Sequence, residues 1–325
     1  MQHSIRRLTT SLSIGLAILA SVGFVSDSAR GRSSNFATNR AAGQNCDRAC
    51  LIGFVDGYLD ALVKHDPSGL PLAAHYKFTE NGQQLKLGEG LWHQAENIQY
   101  RQYLADPERG AAVFYGALDE SGYPTLLMLR LRVVDMKISE IETIVVRFDD
   151  GLDARIATLK ETQPVVDSIL PEDQRSSKAT LEAVANAYLD GLQDHPPGPV
   201  PVTPDCARTE DGRMTSRTAV NSDRPGFPVG CDLNSPVFSY MTSLHDRRFF
   251  VTDEGRGQAF VIAVMDCPGT LKTVEIDGKT TLLGEGARRP REVLLGAVFK
   301  VIGGKLRQVQ AFHVTNLPYG SHSGW

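Results

Sequence analysis

Two glutamates at equivalent positions of a repeated segment have the sequence context best suited to acid–base chemistry. Glu80 lies near the end of GYLDALVKHDPSGLPLAAHYKFTENG, and Glu210 lies near the end of AYLDGLQDHPPGPVPVTPDCARTEDG. The two segments align without a gap, and the same alignment carries Tyr58 onto Tyr188. A match that keeps turn residues and ionisable residues in phase indicates a duplicated domain.

Glu80 has the context of a general base. Residues 75–80 alternate as in a strand, with Tyr76, Phe78 and Glu80 on one face. A carboxylate on an apolar face is desolvated, so we expect its pKa to be raised, as a general base requires. The alternative is a strand-end carboxylate that accepts hydrogen bonds from the turn that follows it.

The elements that must position these glutamates follow from the apolar periodicity. Apolar residues at spacings of three and four predict a helix over 51–63, and the same stripe predicts a second helix over 180–192. A less regular helical stretch is expected over 85–108. Three strands are then predicted in the first copy, over 111–118, 125–134 and 138–148.

The last two of these strands carry opposite charges. Alternation places Arg130 or Arg132 across from Glu140 or Glu142, so cross-strand ion pairs are expected. Such pairs are more typical of a solvated outer sheet face or a domain interface than of an active site.

A bend at residues 88–90, Gly-Glu-Gly, precedes Trp92 and His93. Both side chains could lie over the mouth of a pocket. The alternative is that Trp92 fills the core and His93 is solvated, as most histidines on a surface are.

The second copy differs from the first in its polar residues. Lys137 and Lys305 are equivalent in the two copies, and more residues separate them than separate Glu80 and Glu210. The second copy therefore carries an insertion, spread over 213–231 and 267–291. We expect at most one copy to retain chemistry, or the copies to face each other as a pseudo-dimer, with a homodimer as a further candidate assembly. The site candidates in the second copy are Tyr188, Arg208, Glu210 and His313.

The composition is that of globular domains. The chain has 325 residues, 42% of them hydrophobic, a net charge of −4 and a pI near 6.1, which disfavours a nucleic-acid partner. The predicted organisation is a signal peptide over 1–29, a disordered leader over 30–45, a first domain over 46–163, a linker over 164–178 and a second domain over 179–325.

The amino-terminal segment has the pattern of a secretory signal. Arg6 and Arg7 precede an apolar run over 12–25 that is too short and too interrupted for a membrane span. We therefore expect a periplasmic or secreted protein without a membrane span.

Five cysteines in an exported chain predict disulfides with one thiol left over. Cys206 and Cys231 bracket a polar excursion and are the best pair. Cys46 and Cys50 could bond each other, or one of them could bond Cys267. Because no CxxC occurs and no histidine lies at ligand spacing from a cysteine, neither a metal nor another cofactor is expected.

The order of helix, loop, short strand ending in an acid and long meander resembles the nuclear transport factor two-like superfamily, which includes ketosteroid isomerases and SnoaL-like proteins. The chain is most similar to an exported family of unknown function with CDRxCL, YLDAL and TENG motifs, here at 46–51, 58–62 and 79–82. The resemblance implies an α+β fold of two tandem cone-shaped domains. Each would be a curved antiparallel sheet wrapped by helices around an apolar pocket.

The same resemblance implies roles for residues of the first copy. Tyr58 is similar in position to the isomerases' oxyanion-binding tyrosine, and Glu80 to their carboxylate base. A second oxyanion-hole acid is missing near Tyr115, which counts against steroid isomerisation itself. The substrate-binding candidates are Tyr76, Phe78, Trp92, His93 and Tyr115.

Two functional hypotheses follow. The first is an exported, cofactor-independent lyase, isomerase or decarboxylase that uses Glu80 and Tyr58 on a small apolar or aromatic molecule. The alternative is a non-catalytic periplasmic small-molecule-binding or scaffold protein, since this superfamily hosts both. An empty pocket around Glu80 and Tyr58 favours the enzyme, and a packed interior favours the scaffold.

Overall fold

A computed structural model describes residues 46–148, 151–194, 196–216, 229–276 and 278–325. The described residues form one compact unit. The predicted signal peptide and leader lie outside the described residues.

The first repeat is one helix followed by six strands. Helix α1 begins behind Asp47, whose carboxylate accepts a hydrogen bond from the amide of Cys50 at 2.9 Å. A 3₁₀ turn, Gly90–His93, precedes the third strand. The elements are α1 (Arg48–Val63), β1 (Leu72–Glu80), β2 (Gln83–Gln84), β3 (Ala95–Asp106), β4 (Ala111–Glu120), β5 (Tyr123–Val134) and β6 (Lys137–Arg147).

The second repeat follows a connecting helix, α2 (Leu152–Asp167). The helix that belongs to the second repeat is capped by Ser177, whose hydroxyl accepts a hydrogen bond from the amide of Thr180. The elements are α3 (Lys178–Gln193), β7 (Val202–Glu210), β8 (Arg213–Met214), β9 (Ser243–Asp253), β10 (Gln258–Cys267), β11 (Thr273–Ile276), β12 (Lys279–Leu282), β13 (Arg291–Ile302) and β14 (Lys305–Leu317).

The two repeats build sheets of the same topology. The strand orders are β2-β1-β6-β5-β4-β3 and β8-β7-β14-β13-β10-β9, while β11 and β12 form a separate hairpin. The predicted α+β class with two tandem curved sheets is confirmed. The sheets are not wholly antiparallel, because β1 pairs with β6 and β7 pairs with β14 in parallel.

Each sheet has two buried faces. One face of the first sheet packs on α1, and one face of the second sheet packs on α3. The remaining faces pack on each other, with the rings of Tyr115 and Phe312 stacked at a centroid distance of 3.8 Å. The two repeats therefore associate within the chain as the subunits of a dimer would.

Two predicted segments are wrong. Residues 95–106 form strand β3 and not an irregular helix, because register shifts on either side of Ile98 hide the alternation of the strand. The segment 152–167, for which the sequence predicted no helix, is α2. Its buried Leu152, Ile156 and Leu159 pack at the edge of the core between the sheets, and Pro164 lies inside the helix.

The predicted cross-strand ion pairs are confirmed, and they lie at the interface between the repeats. Arg130 donates to Glu142 at 2.9 Å and to Glu140 at 2.6 Å. Arg248 of the second repeat donates to the other oxygen of Glu142 at 2.6 Å. Glu142 thus joins β6 to β9.

The best predicted disulfide, Cys206–Cys231, is confirmed. Cys46 and Cys50 bond each other, which leaves Cys267 as a buried thiol. Within the described ranges, no helix is long and apolar enough to cross a membrane.

Candidate functional site

Glu80 ends strand β1 and is 8% exposed. Its Oε2 accepts a hydrogen bond from the amide of Leu91 at 2.9 Å, and Arg147 Nη2 lies 3.5 Å from Oε1. Burial raises the pKa of Glu80, against the opposing effects of the Leu91 amide and Arg147. The pKa of this carboxyl is therefore shifted in the direction expected from its inward position.

The space beside Glu80 and Tyr58 is filled by the segment that follows β2. A Cβ on Gly90 would lie 2.6 Å from Glu80 Oε2, so the bend packs directly on the carboxylate. Trp92 Nε1 donates to the Tyr58 hydroxyl at 3.0 Å, and the two buried rings meet edge to face at 5.1 Å. Burial raises the pKa of the Tyr58 phenol far above its usual range.

The other first-repeat candidates do not gather in one place. Phe78 and Trp92 lie with Tyr58 in the core under α1. Tyr76 is 40% exposed, because β1 shifts register before residue 77, and His93 is exposed. Tyr115 lies on the opposite face of its sheet, in the core between the repeats.

A cavity of about 640 Å³ lies in the second repeat, under α3, at the place where the first repeat packs its aromatic rings under α1. Most of its wall is apolar, and α3, β13 and β14 contribute to it together with the segments before β9 and after β10. Its polar side chains are Tyr188, Arg208, Glu210, Asp211, Tyr240, Thr281, Arg291, His313 and Thr315. All four second-copy candidates from the sequence therefore line one cavity.

One substitution between the repeats accounts for much of the difference between the packed interior of the first repeat and the cavity of the second. In the ungapped alignment, Arg208 stands where the first repeat has Phe78. Arg208 Nη1 lies 3.4 Å from the Tyr188 hydroxyl and donates to it, as Trp92 does to Tyr58. At this position the second repeat thus has a charged side chain where the first repeat has a buried aromatic one.

The insertion predicted from the sequence builds the outer wall of the cavity. Its second part forms the hairpin of β11 and β12 and the 3₁₀ turn Glu285–Arg288. The wall residues from this part include Val274, Ile276, Leu282, Leu283 and Ala287. The first repeat has no counterpart to this inserted segment, which is the sequence signal that distinguishes the two copies.

The charged centre of the cavity is the pair of Arg208 and Glu210. Arg208 Nε lies 3.3 Å from Glu210 Oε1, and the Arg208 side chain is 2% exposed whereas that of Glu210 is 34% exposed. Thr215 fixes the guanidinium by accepting from Nε through its hydroxyl and from Nη2 through its carbonyl, both at 3.1 Å. The carboxylate is the more accessible partner.

Two phenols and a histidine complete the polar side. Burial raises the pKa of Tyr188, against the opposing charge of Arg208, and burial with Glu210 and Cys267 raises the pKa of Tyr240 to about 12. Both phenols are therefore protonated donors at neutral pH. Burial alone would lower the pKa of His313, but the neighbouring carboxylates of Asp211, 3.7 Å away, and Glu210 raise it overall.

The sequence did not point to Tyr240, Asp211 or Arg291. Tyr240 follows the 3₁₀ turn Pro236–Phe238, and Arg291 comes at the end of the inserted wall. The alignment of the two repeats established no first-repeat equivalent for either residue, so the duplication gave no signal for them. Asp211 takes the place of Asn81 in the turn after the strand.

A smaller cavity of about 220 Å³ lies in the first repeat, lined by Gln94, Glu120, Tyr123, Arg147 and Phe148. Arg147 donates to both oxygens of the buried Glu120, at 2.5 and 2.8 Å, and also approaches Glu80. The described residues contain no group of three His, Cys, Asp or Glu side chains arranged to hold a metal ion.

The family model described as Domain of unknown function (DUF8021) matches residues 44–145 and 174–313, which together make up more than half of the chain. The chain belongs to this family. The two DUF8021 matches fall on the two repeats, and the family description names no activity. The comparison with curated proteins found no match.

Several solved structures resemble part of this DUF8021 chain. A steroid delta-isomerase from Pseudomonas aeruginosa is 18% identical over 32% of this chain and 83% of its own, with a TM-score of 0.25. A putative polyketide cyclase from Silicibacter sp. tm1040 is 13% identical over 42% and 89%, with a TM-score of 0.26. A phenazine biosynthesis-related protein from Pseudomonas aeruginosa is 13% identical over 51% and 81%, with a TM-score of 0.20. These likenesses are too weak to assign a fold or an activity.

Proposed function

We propose that the second repeat binds a small, largely apolar molecule and carries out cofactor-independent proton transfer on it, as a lyase, isomerase or decarboxylase does. The observation that carries this proposal is the cavity of about 640 Å³, with its apolar wall and its polar side around Glu210. Concave, mostly apolar cavities with a few convergent polar groups are typical of small-molecule sites.

In this proposal Glu210 is the general base. Its carboxylate is partly exposed to the cavity, while Arg208, itself fixed by Thr215, holds it in place from the buried side. Tyr188 and Tyr240 are protonated donors that would stabilise an oxyanion as it forms. The apolar wall excludes water and strengthens these interactions.

For the first repeat we propose a structural role. Glu80 accepts from the Leu91 amide and lies against Gly90, so it ties β1 to the turn Gly90–His93. Tyr58 is held by Trp92. The role of base that the sequence suggested for Glu80 therefore passes to Glu210, its equivalent in the second repeat.

We also propose that each repeat is a nuclear transport factor two-like cone and that the protein is exported. The repeated arrangement of one helix and a six-stranded sheet supports the first statement. The two disulfides support the second, because disulfides persist in oxidising compartments.

A non-catalytic binding protein is the second candidate. The observation that favours it is the pairing of Glu210 with Arg208, since a carboxylate already held by a guanidinium also suits the recognition of a polar ligand group. The cavity itself serves either function.

Deuterium exchange separates the two candidates, because it directly reports the removal of a proton from carbon. A panel of aryl ketones and β-keto esters would be incubated with the protein in D₂O, and exchange at the acidic carbon followed by NMR. We expect protein-dependent exchange for at least one compound, its loss in Glu210→Gln, and its retention in Asp205→Asn, a change of an exposed carboxylate on the same strand. Binding without exchange favours the binding protein. Loss in Glu80→Gln but not in Glu210→Gln would return the chemistry to the first repeat.

A further inference from the structure

The polar side of the cavity contains one guanidinium whose charge is not matched. Glu210 is paired with Arg208, and Asp211 lies 3.7 Å from His313. Arg291 also lines the cavity, but no carboxylate of the described residues forms an ion pair with it. Among the described residues, the Arg291 guanidinium therefore has no carboxylate partner.

Arg291 also has an unsatisfied hydrogen-bond donor. Nη1 donates to the carbonyl of Thr315 at 3.1 Å. Nε is buried and has no hydrogen-bond partner among the described residues. A buried N–H of a charged group without an acceptor is costly, so the contacts within the protein leave the Arg291 guanidinium incompletely satisfied.

The surroundings hold the Arg291 guanidinium in one place. A Cβ on Gly286 would lie 2.8 Å from Nη1, so the 3₁₀ turn of the inserted wall packs directly on the guanidinium. On the neighbouring strand the Cys267 thiol interacts with Arg291 as well. A guanidinium fixed in this way is preorganised to bind an anionic group.

We propose that the ligand of the second-repeat cavity is an apolar carboxylic acid, whose carboxylate binds Arg291 and whose hydrocarbon body lies against the apolar wall. This inference rests on the proposed function, since it names the ligand class of the same cavity. Glu210 and Arg291 both line this cavity, so the anionic end of the ligand and the proposed base share one site.

The test compares matched acids and amides on the whole protein. 2-Naphthoate and 2-naphthamide have nearly the same shape, as do decanoate and decanamide, but only the acids carry a charge. Binding would be measured by isothermal titration calorimetry. We expect each acid to bind about 10- to 100-fold more tightly than its amide, as for a charge-assisted hydrogen bond.

Variants of Arg291 assign the effect to this side chain. Arg291→Gln should weaken acid binding by about 10- to 100-fold and leave amide binding unchanged, whereas Arg291→Lys should retain part of the preference. Arg289→Gln, at an exposed arginine nearby in the chain, is the matched control and should change neither. Thermal unfolding of each variant reports on folding, and the acid–amide comparison in the unaltered protein needs no variant.

The outcomes separate the two proposals. If acids and amides bind equally well, or if Arg291→Gln leaves acid binding unchanged, the ligand class is wrong while the cavity remains a binding site. If the unaltered protein binds neither acids nor amides, the proposed cavity site fails and the ligand class fails with it.

Discussion

Arg208 Nε lies 3.3 Å from Glu210 Oε1, and Arg208 occupies the strand position that Phe78 holds in the first repeat. The same helix and sheet thus enclose aromatic side chains in one repeat and a charged pair beside a cavity in the other. This difference is the reason for proposing that the chemistry belongs to the second repeat.

Arg208→Met tests how much the pair of Arg208 and Glu210 contributes to the stability of the fold. The change removes the hydrogen bonds to Thr215 and Tyr188 and leaves Glu210 without its partner. Because Glu210 can still reach water, we expect a loss of about 1–3 kcal/mol in the free energy of unfolding. Urea denaturation would measure it. Arg289→Met, at an exposed ion pair, should cost less than about 1 kcal/mol, and equal losses in both variants would contradict the account.

Trp92→Ala tests the packed interior of the first repeat. Trp92 is 1% exposed and contacts Tyr58 through both its ring and its Nε1. Truncation leaves a cavity and an unpaired hydroxyl, so we expect a loss of about 3–5 kcal/mol in the free energy of unfolding. Tyr319→Ala, at a residue 53% exposed, is the control. A loss below about 1 kcal/mol for Trp92→Ala would show that the interior is not packed as described.

Glu80 gives a pH dependence with a definite sign. Its pKa is raised in the folded protein by burial, from an ordinary value of 4.5. As the pH rises through 4.5, the unfolded chain releases this proton before the folded protein does, so stability falls with rising pH. The fall ends once the pH exceeds the folded pKa.

Urea denaturation at a series of pH values from 4 to 7 would measure this effect in the unaltered protein and in Glu80→Gln. The free energy of unfolding of the unaltered protein, taken relative to that of the variant, should decline as the pH rises. A relative stability that grows with pH would mean that Arg147 and the Leu91 amide outweigh burial.

The two disulfides should contribute unequally to stability. Cys206 and Cys231 are 25 residues apart in the sequence, whereas Cys46 and Cys50 are 4 apart. A disulfide that closes a longer loop removes more entropy from the unfolded chain. Replacing Cys206 and Cys231 by alanine should therefore lower the free energy of unfolding by about 3 kcal/mol, and replacing the other pair should lower it by less. Thermal unfolding would rank the two double variants.

Thiol titration provides the accompanying check on the pairing. In the unaltered protein the buried Cys267 should react with a thiol reagent only after denaturation, as a single equivalent. More than one reactive thiol in the oxidised protein, or the reverse ranking of the two double variants, would contradict the assigned pairs.

The sequence was sufficient for features that depend on periodicity and on the duplication. The stripe over 51–63 predicted α1, and the polar excursion predicted the disulfide of Cys206. The charges of Arg130 and Glu142 predicted their ion pair. These features are set by residues close in sequence or by alternation on adjacent strands.

The strand β3 and the helix α2 could not be predicted in the same way. Bulges around Ile98 break the alternation on which a strand prediction depends, and Pro164 argues against a helix that tertiary packing nevertheless stabilises.

The location of the cavity depended on long-range packing. Tyr58 and Tyr188, like Glu80 and Glu210, are equivalent in the alignment, which therefore could not rank the two copies. The replacement of Phe78 by Arg208 and the inserted wall were visible in the sequence, but their effect on the interior emerges only when β7, α3 and the insertion are packed together.

A crystal structure of the protein soaked with 2-naphthoate tests the central claim most directly. We predict density for the ligand in the second-repeat cavity, with its carboxylate at Arg291 and its ring system within reach of Glu210. Density beside Glu80 and Tyr58 in the first repeat, or side chains that fill the second-repeat cavity and leave no room for the ligand, would contradict it.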